Sequence, residues 1–97
     1  MMSMKIVMDE DRIEKEDKYD VLKICNYLDN LFQKRGMTKE DGWYINGNFT
    51  TCGAVIIKLT SNDWFLDNVD EWLWYDEDDE STEDLKAHYR KEATAIA

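Results

Sequence analysis

The chain has one histidine, two cysteines and four glycines in 97 residues, and between residues 62 and 84 it has no lysine, arginine or histidine at all. Each shortage removes a class of function. The single histidine, His88, has no serine, cysteine or paired carboxylate at a spacing that would build a nucleophilic triad, and it reads as a surface or hydrogen-bonded side chain. Cys25 and Cys52 lie among apolar residues with no second thiol or histidine at ligand spacing, so they read as reduced, buried, small hydrophobes. The glycines stand apart at positions 36, 42, 47 and 53, which leaves no glycine-rich loop to cradle a phosphate. A calcium loop is missing as well, because the acid run DEDDESTED lacks the turn glycine of an EF-hand. The longest apolar run, Ala54 to Ile57, is far below the roughly 18 to 20 residues of a membrane span. The N-terminal MMSMKIVMDED has no signal-peptide block, which points to a cytoplasmic protein. No cofactor, metal or catalytic residue is indicated, and the expectation is a protein that is not an enzyme.

What the chain does have is apolar mass and negative charge. Hydrophobic residues make up 43% of it, too much for a disordered chain, and residues 1–97 are expected to form a single domain. The net charge of -10 is unevenly placed. Residues 1–42 hold ten acids and eight bases, and residues 43–61 hold only Lys58. Residues 62–84 hold eleven acids and no base, and residues 85–97 add Lys86, Arg90, Lys91 and Glu92. One quarter of the chain carries essentially all the excess charge. Such a field repels nucleic acid phosphates and anionic lipid, so the expected partner is a basic protein surface, with no direct nucleic acid binding and no membrane.

Periodicity suggests an α+β fold: an N-terminal helix on a small antiparallel sheet, followed by two C-terminal helices. Met4 to Met8 reads as an edge strand or a loose arm. From Tyr19 to Arg35, Val21, Cys25, Leu28 and Phe32 repeat at helical spacing, with Asp17 or Asp20 as cap and Gly36 followed by Met37 as stop. The Asn46-Gly47 pair suits a type I′ turn, which makes WYI and FTTCGAVIIKLT two strands of a hairpin with Gly53 at a bulge or bend. From Asp63 a helical wheel puts Phe65, Leu66, Val69, Trp72 and Leu73 on one side and Asp63, Asp67, Asp70 and Glu71 on the other. A strand from Trp72 to Tyr75 is the alternative and would put Trp72 and Trp74 on the same side. Asp76 to Glu80 reads as an exposed acidic loop. Ser81 or Thr82 would then cap a last helix with Leu85, Tyr89, Ala93 and Ile96 inside and Lys86, Arg90 and Lys91 outside.

The residues that folding alone explains least are aromatic and acidic together. Trp72 and Trp43 read as core, whereas Trp64 and Trp74 fall at the margin of the acidic face, as interface anchors do, unless Trp74 folds back on the core. Carboxylates at i, i+4 and i+7 of a helix stand roughly 5 to 6 Å apart, and such a track can occupy a groove built of Lys and Arg. The bland alternative is a solvated helix face with a solubilising loop. Candidate partner-binding residues are Asp63, Asp67, Asp70, Glu71, Trp74, Tyr75, Asp76, Glu77, Asp78, Asp79, Glu80, Glu83 and Asp84.

In size, net charge, helix–hairpin–helices layout and the late tract WYDEDDESTED, the chain resembles small acidic phage-encoded inhibitors that mimic nucleic acid, anti-CRISPR proteins above all. Anti-restriction proteins and nuclease immunity proteins share the look. The resemblance implies inhibition by occupancy of a nuclease's DNA-binding groove, without turnover or cofactor. A structural or adaptor protein that docks a partner through its aromatic patch is the alternative.

Overall fold

The computed structural model describes residues 1–89. The elements run β1 (Met2–Met8), α1 (Glu10–Glu16), α2 (Val21–Gln33), β2 (Thr38–Glu40), β3 (Trp43–Gly47), α3 (Phe49–Thr60), α4 (Asp63–Asn68), β4 (Val69–Asp76) and β5 (Ser81–Asp84). Residues 85–89 are again helical. One five-stranded antiparallel sheet has the order β2-β3-β1-β4-β5. The structure is α+β, but the expected layout is overturned: the first element is a strand, and the sheet is built from both ends of the described chain.

The short apolar stretch at the start is neither an edge strand nor an arm. β1 is the middle strand, with β3 on one side and β4 on the other. Its alternation explains why: Met4 and Met8 are buried while Lys5 and Val7 are not, the period-2 pattern of a strand. The acids that follow it start α1, since Asp9 Oδ1 accepts from the Arg12 backbone N–H at 3.1 Å as an N-cap does.

α2 forms where its sequence pattern places it. Asp20 caps it through the Leu22 N–H at 2.8 Å. At its end Gly36 has φ +83, and the Met37 and Gly36 amides donate to the carbonyls of Phe32 and Gln33 at 3.1 and 3.0 Å. That pair of bonds is a Schellman motif, which needs a left-handed residue at the glycine position. Ile24, Leu28, Leu31 and Phe32 are buried, so the inner face is turned slightly from the Val21–Cys25 stripe, and Cys25 is half-buried.

The hairpin expected across Asn46-Gly47 does not form, and a different one lies earlier in the chain. Its strands are β2 and β3, joined at Asp41-Gly42, whose φ angles of 50 and 84 are both positive, as a type I′ turn requires. The Asn46-Gly47 pair instead marks an irregularity where β3 runs beside β1, with Asn46 at φ 66. The segment FTTCGAVIIKLT is a helix, not a strand. Asn48 caps α3 in a reciprocal box with Thr51, at 2.8 and 2.9 Å, and Cys52, Val55, Ile56 and Leu59 are its buried stripe. Gly53 sits inside this helix, at no bulge. The helix expected from Asp63 to Leu73 ends at Asn68, and Val69–Asp76 is a strand. Ser81 and Thr82 cap nothing; they lie in β5, and the Asp84 carboxylate caps the following helical turn through the Ala87 N–H at 3.0 Å. Arg90, Lys91, Ala93 and Ile96 lie outside the described residues.

Register decides which side chains share a face. Met4 lies beside Tyr44 and Trp74, and Ile6 beside Trp72. On that side Phe32 of α2 stacks on Tyr44, Phe49 of α3 meets Trp74, and Phe65 of α4 meets Trp72 edge-on. The other side carries Lys5, Val7, Trp43, Ile45, Leu73 and Tyr75, none of them buried. The helices therefore cover one face, and the opposite face is open among the described residues.

Two positions yield tests of this packing. A Cβ on Gly47 would come 2.7 Å from Met37 Cε, 2.9 Å from Cys52 Sγ and 3.1 Å from the Met2 carbonyl oxygen, whereas one on Gly53 meets nothing within 4 Å. Gly47→Ala is expected to cost about 1–3 kcal/mol from overpacking, and Gly53→Ala to add about 0.5–1 kcal/mol of helix stability. Urea denaturation of both variants checks the pair, and equal midpoints would contradict the packing. Tyr44 offers a pH test. Its hydroxyl donates to Asp29 Oδ1 at 2.6 Å. Burial first, then the hydrogen bond and charge of Asp29, raise the phenol well above its ordinary range. The folded protein thus keeps a proton that the unfolded chain releases above about pH 10, so this contribution is complete below that pH and is lost as pH climbs past it. Tyr44→Phe should flatten the alkaline fall in stability measured between neutral pH and pH 11, while costing about 1 kcal/mol at neutral pH.

Candidate functional site: an acidic hairpin beside an open sheet face

The acids of residues 62–84 do not form one helical stripe. α4 is six residues long, so only Asp63 and Asp67 ride on it, both exposed. Asp70 falls at a register shift between β1 and β4, and its backbone carbonyl accepts from Lys86 Nζ at 2.9 Å. Glu71 has crossed to the open face, where it pairs with Lys5 at 3.4 Å. The expected spacing of carboxylates along a helix edge is therefore replaced by charge distributed along the β4–β5 side of the sheet.

Most of that charge gathers at the hairpin. β4 and β5 pair from Leu73↔Asp84 to Asp76↔Ser81, and residues 77–80 form the loop between them, all exposed. The loop has internal order: the Asp78 N–H donates to Asp76 Oδ1 at 3.0 Å, and the Ser81 hydroxyl donates to Asp79 Oδ1 at 2.7 Å. Glu80 adopts φ 51 to turn the chain back. Among the described residues no lysine or arginine pairs with Asp76, Glu77, Asp78, Asp79, Glu80, Glu83 or Asp84. The cation that does approach is the Met1 amino group, 3.8 Å from Glu77 and from Asp78. The hairpin is thus one edge of the sheet, flanked by β1 as far as Asp76, with five consecutive carboxylates at its turn.

The aromatics part company with the acids they adjoin in sequence. Trp74 lies on the helix side, half-buried against the core, with its ring 6.1 Å from Phe49. It has folded back rather than joined the exposed acids. Burial pushes the neighbouring Cys52 thiol upward, partly opposed by Trp74 and Thr51. Among the described residues the Trp74 N–H nevertheless finds no partner of hydrogen-bond geometry, so its approach to the sulfur is a polar proximity. Trp64, at the other end, is enclosed by Tyr19 and Tyr27 at 6.2 and 5.6 Å. Tyr75 faces the open side and meets Trp43 at 6.5 Å and 73°.

Two features escaped the sequence pattern. Trp43, expected in the core, is half-buried on the open face, beside Tyr75 and near Glu40 and Asp41. Phe49 is 71% exposed at the start of α3, on the side of the sheet where Glu83 stands opposite Trp74. A helical reading of FTTCGAVIIKLT would have put Phe49 in a first turn rather than in a strand. Among the described residues no group of three or more His, Cys, Asp and Glu side chains converges as a metal site, and no helix is long and apolar enough to cross a membrane.

Compared with protein-family models, curated proteins and solved structures, the chain matches none of them. The helix–hairpin–helices layout that contributed to the resemblance with nucleic-acid mimics is also not the fold; size, charge and the acidic tract remain.

Crowded exposed carboxylates repel one another, and salt screens them. Replacing Asp78 and Asp79 by Asn and Glu80 by Gln should raise the denaturation midpoint at low ionic strength. In about 1 M salt, where the screening length is about 3 Å, the difference should vanish. A midpoint independent of both changes would mean that the loop charges are too well solvated to strain the fold.

Proposed function

We propose that this protein is a non-catalytic inhibitor that inserts its acidic β4–β5 hairpin into the basic nucleic-acid-binding groove of another protein, a nuclease being the expected class, and blocks that groove by occupancy. The observation that carries this reading is the tip of the hairpin, where Asp76 to Glu80 are consecutive, residues 77–80 fully exposed, and all are served by no lysine or arginine among the described residues. Edge strands are commonly blunted by a charge or two. β5 needs no more than that, so the loop exceeds what protection from aggregation requires. Its ladder and side-chain hydrogen bonds hold the charges in place before binding, which lowers the ordering cost of association. The turn of residues 77–80 lies beyond the last paired residues of β4 and β5 at the edge of the sheet, where it can enter a groove that the rest of the sheet need not follow. Steering by so strong a field would act mainly on the association rate. The cytoplasm is the compartment in which such a target would be met.

A second reading is favoured by one observation, the uncovered sheet face with Trp43 and Tyr75 on it. There the protein would be an adaptor docking a partner through aromatics, with the acids serving solubility.

Charge reversal separates the two. With the protein immobilised and host lysate applied at about 50 mM salt, the hairpin reading expects capture of a nucleic-acid-binding protein that free DNA displaces. Asp76→Lys, Asp78→Lys and Asp79→Lys together should lower that capture by at least about tenfold, and raising the salt to about 500 mM should do the same. Undiminished capture by the triple variant would end the hairpin reading and leave the adaptor.

A further inference from the structure

The open face of the sheet holds a pocket of about 450 Å³ whose walls are Trp43 and Tyr75 and whose rim carries Glu40 and Asp41. Its construction follows from strand order. β3 and β4 both flank β1, with Trp43 level with Lys5 and Tyr75 level with Ser3, so their backbones stand more than two strand spacings, roughly 9.5 Å, apart, yet their ring centroids approach to 6.5 Å at a steep angle. They lean together over Ser3, whose short side chain lies in the pocket between them. Glu40 is directly across the β2–β3 ladder from Trp43, and Asp41 is the first residue of the positive-φ turn that joins them. Neither rim carboxylate forms an ion pair or side-chain hydrogen bond among the described residues, and no lysine or arginine lines the pocket.

We propose that this pocket receives the guanidinium of an arginine side chain presented by a protein partner. Aromatic faces attract cations, and a planar guanidinium can stack on a ring while its N–H groups reach carboxylates at the edge. A compact ammonium lacks the flat face and the fork, so lysine fits less well. The open shape and only two aromatic walls argue against a free small cation, which would need closer enclosure to be held alone. A second copy of this chain is disfavoured because two molecules of charge -10 repel. Of its three arginines, the two among the described residues, Arg12 and Arg35, are also engaged at home, with Glu16 and with the Leu31 carbonyl oxygen. The larger pocket of about 590 Å³ beside Trp64 makes a useful contrast. It has three aromatic rings, but Lys18 and Lys23 already offset Asp17 and Asp20 there, and Asp20 caps α2. Of the two, the Trp43 pocket pairs aromatic walls with carboxylates that no ion pair neutralises among the described residues.

This inference deepens the reading of a basic partner and rests on it, but its test uses the isolated protein and so fails separately. Titrating acetyl-Gly-Arg-Gly-amide into the labelled protein should shift the Trp43 indole N–H resonance and the Tyr75 ring signals. The citrulline peptide, which keeps the shape and loses the charge, should bind at least about tenfold more weakly, and the lysine peptide about threefold more weakly. Glu40→Gln with Asp41→Asn keeps the turn, since Asn tolerates positive φ. This double variant should lose at least about fivefold in affinity while retaining the wild-type thermal midpoint. Trp43→Leu should abolish the response. Citrulline binding equal to arginine, or shifts confined to residues 76–80, would overturn the proposal. In either case the charge-reversal result for the hairpin would still decide the groove reading on its own.

Discussion

Trp72 lies where four pieces of the chain meet. It stands beside Ile6 of β1 in the sheet, takes the edge of Phe65 from α4 at 4.9 Å, and stacks with Tyr89 from the last described helical turn at 5.6 Å. It is fully buried, and a buried tryptophan removes on the order of 150–250 Å² from water. Its indole N–H has no hydrogen-bond partner among the described residues, an unmet polar group that works against stability. The burial outweighs it. Without this side chain α4, β4 and the helical turn after β5 would have little in common to pack against.

The stacking of Phe32 on Tyr44, 3.8 Å between centroids and nearly parallel, organises the other half of the core. The Tyr44 hydroxyl reaches Asp29, which also receives Lys39 at 3.6 Å, while Lys39 lies 5.5 Å over the Tyr44 ring. α2 is thereby tied to the β2–β3 hairpin. That attachment fixes where Glu40 and Asp41 sit relative to Trp43, so a polar contact on the covered side of the sheet sets the geometry of the open side.

Some of this was readable in the chain and some was not. α2 was, because its apolar stripe, its Asp20 cap and its Gly36-Met37 stop all agree. α3 was misread because β-branched residues weighed toward a strand, although Cys52, Val55, Ile56 and Leu59 also fit the helical period and Asn48 is a good cap. Two dipeptides, Asp41-Gly42 and Asn46-Gly47, both permit positive φ, and three residues of β2 are too few to favour the right one. Residues 63–76 splice two periods, helical up to Asn68 and alternating from Trp72, so a single wheel fitted the first part and carried on past its end. The concentration of charge was legible because counting carboxylates requires no fold. The Trp43–Tyr75 pair was not, since it depends on β1 lying between their strands, and nothing local to either tryptophan or tyrosine announces that.

The place of β1 also shapes how the protein comes to be made. Its neighbour β3 follows within about forty residues, but β4 does not begin until Val69. At synthesis rates of about 5–20 residues per second, the strand that ends at Met8 spends several seconds with one hydrogen-bonding edge unsatisfied before its second partner has been translated. Throughout that interval the methionines and Ile6 on its inner face have only part of their eventual cover. The acidic hairpin arrives with the strand that closes the gap, so the segment that ends the exposure of β1 is also the one that carries the charge.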